Sequence, residues 1–143
     1  MTRALGIDLG TKRIGVALSS GSLATPYEVV TRSGDPARDH RRISELVDET
    51  GAEIVVVGLP LSLDGRKGPA ARSAEAEIAE LADRLEVPVT AYDERLTTVT
   101  ADRQLMSQNL GAGARRRVVD KVAASVMLQA WLDAGTPAEG TRS

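Results

Sequence analysis

Residues 3–19 read RALGIDLGTKRIGVALS and predict the centre of a β-sheet. Two mainly apolar runs, at 3–9 and 14–19, each predict a strand, and the glycine-containing loop between them predicts a hairpin. Gly15 interrupts the second run, which indicates a bulge or the close approach of another backbone. Asp8 lies inside the first strand, where a lone carboxylate is costly unless a cation or several donors satisfy it.

The rest of the chain alternates between strand and helix patterns. Further strands are predicted at 27–31, opened by Pro26, and at 53–58 and 88–92, and helices at 38–49, 71–85, 97–107 and 117–132. Three strands can pair antiparallel, whereas the last two arrive through helical crossovers and must lie parallel to a neighbour. The predicted fold is therefore α/β, a mixed five-stranded sheet with helices on both faces. Residues 1–135 are predicted to form one domain and 136–143 a disordered tail.

The composition of the 143 residues excludes several kinds of chemistry. There is no cysteine and only one histidine, His40, while aspartate and glutamate number 20. Thiol nucleophiles, disulfides, thiolate zinc sites and multi-histidine metal sites are thereby disfavoured, and catalysis is expected to rest on carboxylates. No apolar run is long enough to span a membrane, and the N-terminus lacks a signal-peptide pattern, so a cytoplasmic protein without a membrane partner is expected.

Acids from separate segments predict a cation site. Asp93 and Glu94 end the fifth strand, where ligands of open α/β sheets gather, although a helix N-terminus would also favour them. Asp120 lies among apolar residues of the last helix, although an ion pair with Lys121 would also explain it. Asp8 could bond the following turn, but an acid inside a strand has few structural uses. Together they suit Mg²⁺ or Mn²⁺, and two such ions can support phosphodiester cleavage.

Basic residues stand beside these acids and predict a phosphate-binding surface. The run Arg115–Arg117 begins just before the last predicted helix, where cations oppose the helix dipole, so a reason outside the helix is expected. An ordinary solvated charge run is the alternative. The nucleic-acid-binding residues predicted in this way are Lys12, Arg13, Arg66, Lys67, Arg95, Arg115, Arg116 and Arg117.

Four segments resemble, in their order along the chain, the motifs of the YqgF/RuvX family. They are GIDLGTKRIGVA at 6–17, VGLP at 57–60, DERLTT at 93–98 and VD at 119–120. The resemblance implies a ribonuclease H-like fold related to the RuvC resolvases. It also implies a metal-dependent nuclease that processes the 5′ end of pre-16S rRNA, with cleavage of Holliday junctions as the alternative role.

Under this resemblance the catalytic, metal-binding acids are Asp8, Glu94 and Asp120, and the cofactor is Mg²⁺ or Mn²⁺. The resemblance thus favours Glu94 over Asp93, a choice that spacing leaves open. Lys121 departs from the family pattern, because relatives often have a small residue or serine after the last acid. Lys121 is therefore expected to weaken or tune the binding of a metal ion by Asp120.

Two other functions compete with the nuclease. The segment DLGT at 8–11 also resembles the first phosphate loop of the actin and Hsp70 ATPases, but the chain offers no second Asp-Gly-Gly loop. A nucleic-acid-binding module without catalysis is the other alternative. If the protein is a nuclease, pre-rRNA is the favoured partner. Branched DNA stays open as the alternative, because phosphate contacts carry no substrate identity. A monomer and a homodimer both fit the sequence, although a junction resolvase would need paired sites.

Overall fold

Five strands form one mixed sheet at the centre of the protein. The computed structural model describes residues 2–61, 64–96 and 112–134, with Leu96 and residues 112–121 as backbone only. The strands are β1 (Ala4–Leu9), β2 (Arg13–Ser20), β3 (Leu23–Thr31), β4 (Ile54–Leu59) and β5 (Val89–Asp93). Their order is β3-β2-β1-β4-β5, and β2 pairs antiparallel with β1 and β3, whereas β4 pairs parallel with β1 and β5. The predicted mixed sheet is confirmed.

Within these described residues, three helices connect or follow the strands, namely α1 (Pro36–Thr50), α2 (Pro69–Arg84) and α3 (Ala112–Asp133), and a 3₁₀ turn covers Glu94–Leu96. The Asp35 carboxylate caps α1 by accepting a hydrogen bond from the Ala37 amide at 3.1 Å. Gly51 ends α1 in the left-handed conformation, with a φ of 71°. Among the residues that the structure describes, none of the helices combines the length and apolar character needed to cross a bilayer.

The strands bury both faces of the sheet, because β1 sends alternate side chains to opposite sides. Leu5 and Ile7 pack in the core under α1 and α2, whereas Ala4 packs in the core under α3. Gly6 also faces α3, since a Cβ atom built on it would lie 2.9 Å from the Cβ of Leu128. By the same alternation Asp8 faces α3.

The third strand begins earlier than the sequence predicts. A start after Pro26 is wrong, because β3 runs from Leu23 and includes the proline. Since β3 lies at the edge of the sheet, the missing amide hydrogen of Pro26 costs no central ladder bond. The register shifts from Val16 opposite Glu28 to Ala17 opposite Pro26, so one residue of β3 bulges out of the ladder.

The last helix is also longer than predicted. It begins at Ala112 rather than Arg117 and runs through Gly113. A glycine costs a helix only about 1 kcal/mol relative to alanine, so it does not stop a helix that packs on a sheet. The run Arg115–Arg117 therefore lies inside α3. The helix predicted at 97–107 and the tail predicted at 136–143 lie outside the described residues.

Gly6→Ala should lower the free energy of unfolding by about 1–3 kcal/mol, because the new methyl group overpacks the contact with α3. Urea unfolding followed by circular dichroism measures the change. Gly51→Asn is the control, since nothing lies within 4 Å of its added Cβ and asparagine tolerates the left-handed conformation. A Gly6→Ala protein as stable as the unmodified chain would contradict this account of how α3 packs.

Candidate functional site

Asp8 occupies the carboxyl end of the central strand. It lies opposite Gly15 of β2, and only 7% of its surface is exposed. On the other side of β1, the parallel register pairs Ile7 with Val57, and one residue further along it brings Asp8 beside Gly58. The strand thus presents a buried carboxylate on the α3 face, at the edge where parallel strands end.

Glu94 reaches the same face from the 3₁₀ turn after β5. A Cβ atom built on Gly58 would lie 2.7 Å from the Glu94 Oε2 and 3.1 Å from its Cδ, so the carboxylate fills the place of a side chain at position 58. Val56, two residues earlier in β4, packs in the core under α3. Gly58 therefore lies on the α3 face of the sheet as well. Neighbouring strands lie about 4.8 Å apart, so the strand register brings Asp8 and Glu94 close together on this face.

Asp93 has a different environment from its neighbour. It lies beside Leu59 in the register, on the face of α1 and α2. Its carboxylate accepts hydrogen bonds from the backbone amide and the guanidinium of Arg95, each at 2.9 Å. The side-chain hydrogen bonds from Arg95 hold the pKa of Asp93 below its ordinary value, against a smaller opposing effect of burial. Asp93 is therefore committed to the turn, and Glu94 is the acid over the α3 face.

Asp120 belongs to α3, but its side chain lies outside the described residues. Ala124 and Leu128 contact Gly6, and Gln129 binds the backbone of the β2–β3 hairpin. The helix therefore runs from the carboxyl end of β1 towards its beginning. Position 120 is one turn before Ala124, about 6 Å nearer the end that carries Asp8. Among the side chains that the structure describes, no three His, Cys, Asp or Glu residues form a metal-binding group.

A tight turn follows Asp8 and carries two of the predicted cations. The Gly10 amide donates to the carbonyls of Asp8 at 3.1 Å and Arg13 at 3.0 Å. A Cβ atom at Gly10 would lie 2.4 Å from the Arg13 carbonyl oxygen, so the turn admits only glycine there. Lys12 is exposed and Arg13 half-buried, and both line a groove of about 480 Å³ that also includes Arg32.

The other predicted cations divide into two groups. The side chains of Arg115, Arg116 and Arg117 lie outside the described residues. The other three cations contact carboxylates. These pairs are Arg66 with Asp64 at 3.0 Å, Lys67 with Glu75 at 2.7 Å, and Arg95 with Asp93 at 2.9 Å.

Gly58 contacts the Glu94 carboxyl, a role that the sequence does not predict. It was visible as part of a motif, and its place at the end of a strand rich in β-branched residues is itself a signal. A glycine there often marks the close approach of another group, which in this protein is the Glu94 carboxyl.

Comparison with known proteins points to one family. The sequence model of the RuvX family, described as Holliday junction resolvase, matches residues 2–134. A Desulforudis audaxviator protein named "Putative pre-16S rRNA nuclease" is 44% identical over 133 residues, which cover 92% of this chain and 94% of that protein. A Leifsonia xyli protein of the same name is 48% identical over 132 residues, covering 91% and 84%.

Solved structures agree on the fold. RuvC of Thermus thermophilus, in complex with a Holliday junction substrate, superposes with a TM-score of 0.61. The alignment covers 95% of this chain and 98% of RuvC at 19% sequence identity. A further RuvC structure from the same organism gives a TM-score of 0.58. The fold is therefore of the RuvC type, as the resemblance implied.

Gly58→Ala should weaken binding of Mn²⁺ about tenfold or more, because the added methyl group displaces the Glu94 carboxylate from beside Asp8. Isothermal titration calorimetry with Mn²⁺ measures this loss. In a Glu94→Gln background the same substitution should have little further effect, because the two changes act on one group. If Gly58→Ala lowered the Mn²⁺ affinity equally in the unmodified protein and in Glu94→Gln, Gly58 would not act through the Glu94 carboxylate.

Proposed function

The chain belongs to the RuvX family, and we propose that it is a nuclease that hydrolyses phosphodiester bonds with the help of divalent cations. The observation that carries the proposal is the pair of carboxylates, Asp8 and Glu94, on the α3 face where parallel strands end. Asp120 is proposed as the third acid, because position 120 is one helical turn from the residue that contacts Gly6. Residues 1–135 are proposed to form one nuclease domain.

The side chains of this site fit Mg²⁺ or Mn²⁺. Carboxylate oxygens are the ligands that both cations prefer, and Asp8 and Glu94 supply them without histidine or cysteine. The absent side chain of Gly58 leaves the room in which the Glu94 carboxyl lies. A divalent cation held by Asp8 and Glu94 would activate water for attack on the phosphodiester and would offset the charge on the phosphate oxygens.

The protein holds these acids in place before substrate arrives. Asp8 is fixed by strands on both sides, because β1 lies between β2 and β4. Glu94 is fixed by the turn that Asp93 and Arg95 close, and its carboxyl rests against Gly58. Such preorganisation removes the need to arrange the charged groups during the reaction.

The cations around the site are proposed to bind the phosphate backbone. Lys12 and Arg13 lie within five residues of Asp8, on the turn beside it. Exposed ion pairs contribute little to stability, so a phosphate can take the place of the carboxylates that now contact Arg66 and Lys67. Arg95 is proposed to bind phosphate while it stays paired with Asp93, because a third of its side chain is exposed. These contacts orient the strand to be cut without reading its sequence.

Pre-rRNA is the proposed substrate, in processing of the 5′ end of pre-16S rRNA. The names of relatives at 44% and 48% identity support this choice. Branched DNA is the second candidate, which the family description and the shared fold with junction-bound RuvC favour. Cleavage of a precursor rRNA fragment and of a four-way junction, compared at equal enzyme and Mn²⁺ concentrations, distinguishes them.

Asp8→Asn should abolish cleavage while the protein still folds, because the amide keeps the volume but removes the charge that holds the cation. Its melting temperature without metal should equal or exceed that of the unmodified protein, since repulsion between carboxylates is relieved. Asp48→Asn is the control and should retain activity, because Asp48 is exposed on α1, on the other side of the sheet. EDTA should also abolish cleavage. Full activity of Asp8→Asn in Mn²⁺ buffer would remove Asp8 from the mechanism.

Replacing Arg115, Arg116 and Arg117 together by alanine should weaken nucleic-acid binding more than it slows cleavage at saturation. Loss of phosphate contacts should flatten the slope of log K against log salt by up to about 2–3 units. Binding isotherms with Asp8→Asn protein at several salt concentrations measure the slope. The matched control replaces three exposed arginines of α1 and α2, namely Arg38, Arg41 and Arg84. Equal slopes for both triple variants would show that Arg115–Arg117 form an ordinary solvated run.

A further inference from the structure

We propose that Arg32, Glu77 and His40 form a positioning unit that holds the β1–β2 turn beside the carboxylate site. The unit acts through the backbone of Gly10, which the Arg32 guanidinium binds. Its catalytic consequence rests on the proposed nuclease function, whereas its effect on the turn can be measured without any activity.

Arg32 joins the turn to α2. Its Nε donates to the Gly10 carbonyl at 2.7 Å, while its two terminal nitrogens donate to the two carboxylate oxygens of Glu77, each at 2.9 Å. The Arg32 amide also donates to the Lys12 carbonyl at 2.9 Å. All three guanidinium nitrogens are therefore engaged, and the planar fork fixes the Gly10 carbonyl relative to α2.

His40 anchors the other end of the unit. Its Nε2 lies 2.7 Å from a Glu77 carboxylate oxygen, and the imidazole is fully buried between α1 and α2. Its Nδ1 is buried without a hydrogen-bond partner in the part of the chain that the structure describes. Burial raises the pKa of Glu77, but the hydrogen bonds from Arg32 and His40 outweigh it and hold that pKa below its ordinary value. Glu77 is therefore an anion between two donors.

The polar composition of this unit indicates that it positions the turn rather than stabilises the fold. The side chains of Arg32, Glu77 and His40 are 21%, 16% and 0% exposed, so each loses hydration on folding. Apolar residues of similar size would often be at least as stabilising as a buried ion pair. An apolar set could not hold a carbonyl oxygen at hydrogen-bonding distance. The carbonyl held is that of Gly10, two residues after Asp8 and two residues before Lys12.

The alternative role for Arg32 is direct contact with substrate phosphate. Arg32 lines both the groove that includes Lys12 and a second groove of about 350 Å³ beside Pro60 and Ser73. Glu77→Gln separates the two roles. It releases Arg32 from its carboxylate partner, so a phosphate-binding arginine should bind nucleic acid as well as before or better. A positioning arginine should instead lose its hold on the turn.

The first measurement is hydrogen–deuterium exchange of the full chain. In Glu77→Gln and Arg32→Lys, amides of residues 9–13 should exchange at least about tenfold faster, whereas those of β4 should not change. Glu45→Gln is the matched control, because Glu45 pairs with Arg42 on the exposed side of α1. Unchanged exchange at 9–13 in both variants, in protein that melts cooperatively, overturns the proposal.

The second measurement is steady-state cleavage by the same variants. Both single variants should lower kcat about tenfold or more and change KM and the salt slope of binding by less than about twofold. The double variant should lose no more than the worse single one, since the residues act as one unit. Faster exchange with unchanged kcat overturns the catalytic role, as does a loss confined to KM. Inactivity of the unmodified protein on both substrates would refute the nuclease proposal, and exchange at 9–13 would still decide whether the unit holds the turn.

Discussion

The parallel pairing of β1 with β4 is the interaction on which the site depends. It aligns the carboxyl ends of strands that are separated by the hairpin and α1 in the chain, and it sets Asp8 beside Gly58. The second crossover, through α2, pairs β5 parallel with β4 and brings Glu94 to the same edge. A slip of one residue would turn Asp8 towards α1 and α2, because side chains alternate along a strand. The register that buries the core is thus the register that assembles the acids.

Two missing side chains shape the face on which the acids meet. Gly6 lets α3 approach until the Cβ of Leu128 would touch an added methyl group, and Gly58 leaves space that the Glu94 carboxyl fills. Both glycines lie on the α3 face of adjacent strands. Glycine weakens a strand, and that loss is acceptable where a helix or a carboxylate must come close. The position of α3 and the position of Glu94 therefore have the same physical cause.

The sequence predicts the sheet well because its signals are local. β-Branched runs, turn residues and helical spacing identify the five strands, α1, α2 and α3. Prediction fails where tertiary structure overrides local preference, as at Pro26, which an edge strand tolerates, and at Gly113, which packing retains in α3. The choice between Asp93 and Glu94 needs the phase of β5 relative to the sheet, which only pairing with β4 sets. Arg32, Glu77 and His40 each look like ordinary polar residues until the fold brings them together.

Sequence patterns do not reveal the role of Arg32, Glu77 and His40, because these residues act where the regular structure ends. Ladder pairing with β2 fixes the backbone of β1 through Asp8 to Leu9, which pairs with Ile14, but Gly10 lies beyond this last pair. There the backbone depends on the turn's own bonds and on the Arg32 guanidinium. Where the backbone leaves the ladder at the end of a strand, the site becomes accessible to substrate. The backbone loses the ladder's hydrogen bonds, and with them its rigidity, at the same point. We propose that Arg32, held by Glu77 of α2 and through it by His40 of α1, restores that rigidity without covering the edge where substrate would bind.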